Sequence, residues 1–529
     1  MSKTASALAA ILLLTQSGFA APAPALNPYE ARVDLGSRNA IDDLVFAKLE
    51  RCNAQPAAVC SDGVFVRRAY LDTIGTLPSG FEAREFLLDR APNKRRALID
   101  RLLARDEFAD YWAMKWSDVL RIKAEFPINL WPNAAQAYHR WVRTCLKDNV
   151  PYDQMVRQML TASGSNFRVA PVNFYRAMQN REPAGIAQTV ALTFMGTRAD
   201  KWPKEQLAGM AAFFTKVGYK STAEGKEEIV FFDPGRTNTA ATNEMRIRAA
   251  VFPDGPPARL SPDQDPREVF ADWLISPKNP WFTQNIANRL WAWLLGRGII
   301  HEPDDARADN PPSNPELLAL LEQELIANKY DLKHLYRLIL NSKTYQLCSV
   351  PKADSAEGDA NFAHYPLRRL EAEVLIDALD KLTGGTENYS SPIPEPFTYI
   401  PENKRSIALP DGSITSPFLE MFGRSPRDTG LESERNNRPT AEQRLHLLNS
   451  SQIQRKIEQS PMIKNLTQAG NTPREIASGM YLGILSRYPT EQELKTIETY
   501  FQSGKATRRE AAVDLVWALM NSAEFLYRH

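Results

Sequence analysis

Three stretches of the sequence gather side chains capable of ion-binding, acid–base or oxyanion chemistry. The first, HEPDDARADN at 301–310, places Asp304, Asp305, Asp309 and Asn310 a short distance after Arg289. Their hard oxygens suit calcium, yet the stretch lacks the alternating register and terminal glutamate of an EF-hand loop. Loop capping with ion pairs to Arg289 or Arg307 is the plainer reading, and ligand binding stands beside it. The second stretch is PLRRLEAEVLIDALDK, where Arg369, Glu373, Asp377 and Lys381 recur every four residues and would share one helical face. Neighbouring carboxylates serve as acid and base when their surroundings push their pKa values apart. The flanking Arg and Lys favour a surface ion-pair ladder instead, with Arg368 and Glu371 facing elsewhere, toward the first loop. The third stretch, FGRSPRDTGLESERNNR, holds Arg424, Arg427, Glu432, Glu434 and Arg435, with His446 a short helix away. Clustered arginines grip carboxylates or sulfates bidentately; the alternative is a buried polar network that ties the loop to its helices.

These spacings make Arg289, Asp304, Asp305, Asn310, Arg368, Glu371, Arg424, Arg427, Glu434 and Arg435 candidate ligand-binding residues, with the first loop as one wall of a site and the other two stretches as further walls. They nominate no catalytic residue. No Ser/His/Asp order, phosphate-binding glycine loop or HExxH stands out.

The elements that must position them read as helices. Phe282, Ile286, Leu290, Trp293 and Leu294 recur at helical spacing before Gly296 and Gly298, and Asn314, Pro315 and Glu316 restart a helix in the expected cap order. Pro303, Pro311 and Pro312 stiffen the loop between. The pattern predicts further helices at 134–146, 152–161, 186–195, 205–215, 439–457, 473–485, 491–501 and 508–525. Around EEIVFFDP the periodicity lapses among Gly and Pro, which predicts a short strand or hairpin. The expectation is a mainly α protein: helical domains at 28–218 and 261–529 joined by a β-containing segment at 219–260. An internal echo relates the stretch around Tyr70, Leu71 and Pro78 to that around Tyr481, Leu482 and Pro489.

With 64 Lys and Arg against 63 Asp and Glu over 529 residues, net charge is +1, so no global field would draw in nucleic acid. Lys3, the apolar run from Ala7 to Leu14, and the small residues Gly18 and Ala20 have the layout of a signal peptide at 1–20. A periplasmic or secreted protein is expected, with no membrane span in the mature chain. Four cysteines and six histidines form no zinc-type cluster, so no metal is expected. Cys52 and Cys60 flank the turn-like NAQPAAV and, in an oxidising compartment, are expected to pair as a disulfide.

RRAYLDTIGTLPS with LIDRLLARDEFADYWAMKWSDVLR, then NPWFTQNIANRLWAWLLGRGIIHEPDDARADNPPSNPELLALL with HYPLRRLEAEVLIDAL and ERNNRPTAEQRLHLLNS, resembles the two domains of planctomycete-type cytochrome-c-associated proteins. The resemblance implies two domains of unknown function, export, and the company of c-type cytochromes. One departure matters. The family commonly carries Cys-x-x-Cys-His between a Phe-Leu-Gly-like helix end and a Trp, whereas here Phe194, Met195 and Gly196 run through 197–201 to Trp202 with neither Cys nor His. Covalent haem attachment needs both thiols and the axial His, so no haem or other cofactor is expected in this chain. The leading expectation is an exported non-haem binding or scaffold protein beside cytochrome-bearing or polysaccharide-processing partners, carbohydrate being a possible ligand. Its competitor is an extracytoplasmic hydrolase or carbohydrate-active enzyme built from the acidic and Arg residues. Convergence of the three stretches in one deep pocket would favour the enzyme, and dispersal over the surface would sink it.

Overall fold

Helix ends follow the capping chemistry written in the sequence. Ser79 with Glu82, Thr472 with Glu475, Thr490 with Glu493 and Thr507 with Glu510 form reciprocal capping boxes. Asn314 accepts from the Leu317 N–H ahead of Pro315, as expected. The helices Tyr152–Thr161 and Pro473–Leu485 fall where the periodicity puts them. In this computed structural model residues 27–31, 38–125, 130–224, 226–236, 249–261, 263–468 and 470–529 are described. The expected leader at 1–20 and part of the expected connecting segment lie outside them. The fold is mainly α, with few and short strands. No helix among the described residues is long and apolar enough to cross a membrane.

The strand expected in EEIVFFDP is Glu228–Phe232. It pairs antiparallel with Val217–Ser221 on one side and with Gly164–Ser165 on the other. The neighbouring stretch reaches back in the same way: the Val251 N–H donates to Gly209 O, and Phe252 stacks on Phe213.

Buried apolar side chains form one continuous cluster from Ile41 to Phe525. Polar clamps lock early and late segments together. The Asp42 carboxylate accepts from the Lys343 and Thr344 N–H groups at 3.0 and 2.8 Å. Arg67 donates to Ile484 O and Phe525 O, and Arg68 to Leu347 O and His529 O. A guanidinium carries five donors and no acceptor, so a buried arginine is accommodated by carbonyls at loop and helix ends. The two echoing segments also meet. Helix Gly80–Leu88 lies on helix Pro473–Leu485, close enough that a Cβ at Gly80 would sit 3.4 Å from the Gly483 nitrogen.

Two expectations are corrected. The helix read over PLRRLEAE starts only at Ala372. Arg368–Arg369 is instead a short strand paired with Tyr527–Arg528, in the register Arg368↔Arg528. The Cys52–Cys60 bridge is absent, and both are free thiols. Cys52 ends helix Ala40–Arg51, while the following segment is pinned elsewhere: Val59 bridges Leu347, the Ala57 N–H donates to Ala363 O, and the Cys60 N–H donates to Gln346 O. A pairing distant in sequence, rather than a local disulfide loop, thus fixes the intervening residues.

Candidate functional site

Arg289 sits on helix Phe282–Leu295 and meets Asp304 at 2.6 Å, with both side chains at most 2 % exposed. The other Asp304 oxygen accepts from the Glu432 N–H at 2.6 Å, and the Glu432 carboxylate accepts from the Trp293 indole at 2.9 Å. The first loop is therefore tied to the arginine-rich loop. That loop is turned inward at Gly423, whose positive φ suits glycine and where a Cβ would lie 1.8 Å from Asn436 O.

Arg435 then bridges Asp118 at 2.7 Å and Glu373 at 2.6 Å. Arg427 pairs with Asp118 at 3.0 Å, and Arg424 lies 3.5 Å from Glu373. Burial pushes the Glu373 pKa up, but Arg435 and then Arg424 overcome it and hold the carboxyl down to about 2. Next along the same helix start, Glu371 contacts Lys115 at 2.8 Å and Arg528 at 2.6 Å, and Arg528 reaches Asp72 at 2.9 Å. Burial raises the Glu371 pKa, and Arg528 and Lys115 outweigh it, leaving it well below the usual carboxylate range. Arg368 donates to Trp293 O and Leu294 O at 2.9 and 2.7 Å, capping the C-terminal carbonyls of the Arg289 helix.

Seven of the ten residues nominated from sequence thus belong to one connected interior network: Arg289, Asp304, Arg368, Glu371, Arg424, Arg427 and Arg435. Three do not. Asp305 pairs with the half-exposed Arg307, and Asn310 donates to Asp305 O, so both brace their own loop. Glu434 accepts from the Asp428 and Thr429 N–H groups and closes a turn.

Of the surface ladder expected from Arg369, Glu373, Asp377 and Lys381, only Lys381 is exposed, and the other three are buried. Glu373 is fully buried, and Arg369 and Asp377 are each 6 % exposed. Arg369 donates to Phe422 O, Asp377 accepts from the Ser406 and Ile407 N–H groups, and Lys381 donates to Leu77 O. Burial pushes the Asp377 carboxyl up to about 6 against the pull of Arg405.

Asp72, Lys115, Asp118 and Arg528 complete the network and were missed. Lys115 and Asp118 lie in helix Asp106–Val119, beside the buried Trp112 and Trp116. A charged residue on an otherwise aromatic, core-facing helix was the available signal.

Chemically this arrangement is a clamp. Each of these carboxylates faces at least one cation, and their side chains are at most 13 % exposed, so neither substrate nor bulk water has an open approach. Two hollows lie outside it: an apolar groove of about 570 Å³ beside Leu367 and Leu447, and a polar cleft of about 850 Å³ beside Arg90 and Arg337. Among the described residues no group of three or more His, Cys, Asp or Glu is arranged to hold a metal ion.

The clamp has a pH signature. Glu373 falls to about 2 in the folded chain against an ordinary 4.5, so its contribution is complete above pH 4.5 and is lost as pH drops through 2. Asp377 works oppositely: its folded value near 6 exceeds the ordinary 3.8, so it erodes stability as pH climbs between those values. The difference in thermal midpoint between the wild-type chain and E373Q is expected to narrow as pH falls from 4.5 toward 2, where protonated Glu373 is as neutral as Gln. A difference that stays constant across that window would contradict the assignment.

Residues 40–218 match PSCyt2, a protein of unknown function (DUF1549), and residues 266–501 match PSD1, a protein of unknown function (DUF1553). Both matches are to proteins of unknown function, so they divide the chain into two matched segments without naming an activity. No curated protein and no solved structure matches it.

Proposed function

We propose that this chain is an exported, non-haem binding or scaffold protein that works beside cytochrome-bearing or polysaccharide-processing partners. One observation carries the reading: most of the acidic and Arg residues that a hydrolase would need do converge, but they neutralise one another in the interior, and Asp377, pushed up to about 6, is itself buried. A general acid requires a proton to give and a path to the substrate. Glu371 and Glu373 are held ionised and lie 3 % and 0 % exposed, and so offer neither. The two family-matched segments act in this reading as helical domains braced by the clamp, which leaves the outer hollows for binding. A redox role, if the assembly has one, comes through a partner in this reading, since the sequence contains no Cys-x-x-Cys-His for covalent haem attachment.

The test uses the purified mature chain. Incubated with a panel of polysaccharides, it is expected to release no new reducing ends. Cross-linked in its native envelope, it is expected to recover c-type cytochromes or polysaccharide-processing enzymes, and the isolated chain is expected to show no Soret band. Release of reducing ends by the wild-type protein would overturn the reading in favour of the hydrolase.

A further inference from the structure

Along 80–101 the four guanidinium groups of Arg84, Arg90, Arg96 and Arg101 are exposed and, among the described residues, have no carboxylate within ion-pair distance. They border two adjoining hollows that share Asp89. One is the cleft of about 850 Å³, lined by Arg90, Lys94, Arg95, Arg96 and Arg337 against Asp62 and Asp89. The other is a hollow of about 490 Å³ lined by Phe81, Arg84, Glu85, Leu88 and Arg101.

The floor of the cleft is built. Lys94 and Arg95 are fixed on Asp62 at 2.7 and 2.8 Å, and Arg95 also donates to Gln346 and Cys60 O. Arg337 is held by Asp100 at 2.6 Å, and His334 by Glu324 at 2.8 Å. With those pairs satisfied, Glu85 and Asp89 are the remaining lining carboxylates against the four free guanidinium groups. The ten-residue helix Lys94–Leu103 starts in the same cleft with no side-chain cap from Asn93, which adds to the positive potential there. Alongside, Phe81 and Leu88 are 75 % and 60 % exposed, an apolar ridge next to Arg84 and Arg101.

We infer that these two hollows form one binding track for an anionic polysaccharide, a chain of sugar rings carrying sulfate or carboxylate groups. Free arginines match the planar, bidentate geometry of both oxyanions. Spaced along adjoining hollows, they suit repeated charges on a polymer better than one small ion. The ridge of Phe81 and Leu88 offers apolar area to the faces of sugar rings. The inference rests on the binding reading above and names the ligand class for it.

The test is binding of the full mature chain to fluorescently labelled dextran sulfate, polygalacturonate, neutral dextran and single-stranded DNA, at near-physiological salt. Binding to dextran sulfate, to polygalacturonate or to both is expected, and the two arms tell sulfate from carboxylate. The R90E/R96E variant, altered only at exposed side chains, is expected to keep its melting temperature and lose about tenfold or more in affinity. The distant charge reversal R508E is expected to change nothing. Absence of polyanion binding, an equal loss in R508E, equal binding of neutral dextran, or tighter binding of DNA than of either polysaccharide would overturn the inference. Its failure leaves a protein-binding scaffold intact, whereas polymer cleavage overturns the scaffold reading and leaves the track standing as a substrate channel.

Discussion

Replacing Arg435 by Ala is expected to cost about 3 to 5 kcal/mol of folding stability, the range for removing one partner from a buried charge cluster. Its guanidinium lies between Asp118 at 2.7 Å and Glu373 at 2.6 Å, with its own side chain only 4 % exposed. Truncation removes the cation that the Asp118 and Glu373 carboxylates share. Arg427 still reaches Asp118 and Arg424 still stands near Glu373, so the cluster is weakened rather than stripped. The comparison is R307A: Arg307 pairs with Asp305 and Asp309, but its side chain is 42 % exposed. Water replaces that partner, and a loss of under about 1 kcal/mol is expected. Urea unfolding of both variants checks the contrast. Equal losses would mean that the interior cluster is no more than a set of surface-strength pairs.

The same contrast explains what the sequence disclosed. Helix positions were legible because capping and periodicity are local: Asn314 and Pro315 start one helix, and the apolar spacing from Phe282 to Leu294 marks another. The three polar stretches were legible as a group because their residue types are complementary. Their burial was not. A four-residue spacing such as that of Glu373 and Asp377 reads alike on a solvated face and on a face packed against the Ser406 and Arg435 segments, and tertiary contacts alone decide between them. The strand at Arg368 and Arg369 was hidden for a related reason, since its partner at Tyr527 and Arg528 lies far off in the chain. Cys60 was misassigned because eight-residue spacing from Cys52 suggests a loop, while the backbone of Cys60 is held by Gln346. In each case the missing information was a partner distant in sequence.

Arg528 illustrates this most fully, and substitution by Met gives the sharpest test of how the clamp holds. The residue is 1 % exposed and pairs with Asp72 at 2.9 Å and Glu371 at 2.6 Å. It also donates to the Tyr111 hydroxyl at 3.0 Å. Methionine fills much of the volume and removes the charge, so cavity formation contributes little and the loss, about 3 to 5 kcal/mol, reports the stranded carboxylates. Asp72 retains the Tyr345 and Tyr365 hydroxyls at 2.9 and 2.7 Å, and Glu371 retains Lys115 at 2.8 Å. These remaining donors limit the damage at either carboxylate taken singly. A double-mutant cycle separates charge from packing: if the ion pair is what Met removes, R528M in an E371Q background is expected to cost less than in the wild type by about 1 to 3 kcal/mol. Strict additivity would mean that the Glu371 pair contributes nothing to the loss, which would then fall to the Asp72 ion pair and the Tyr111 hydrogen bond.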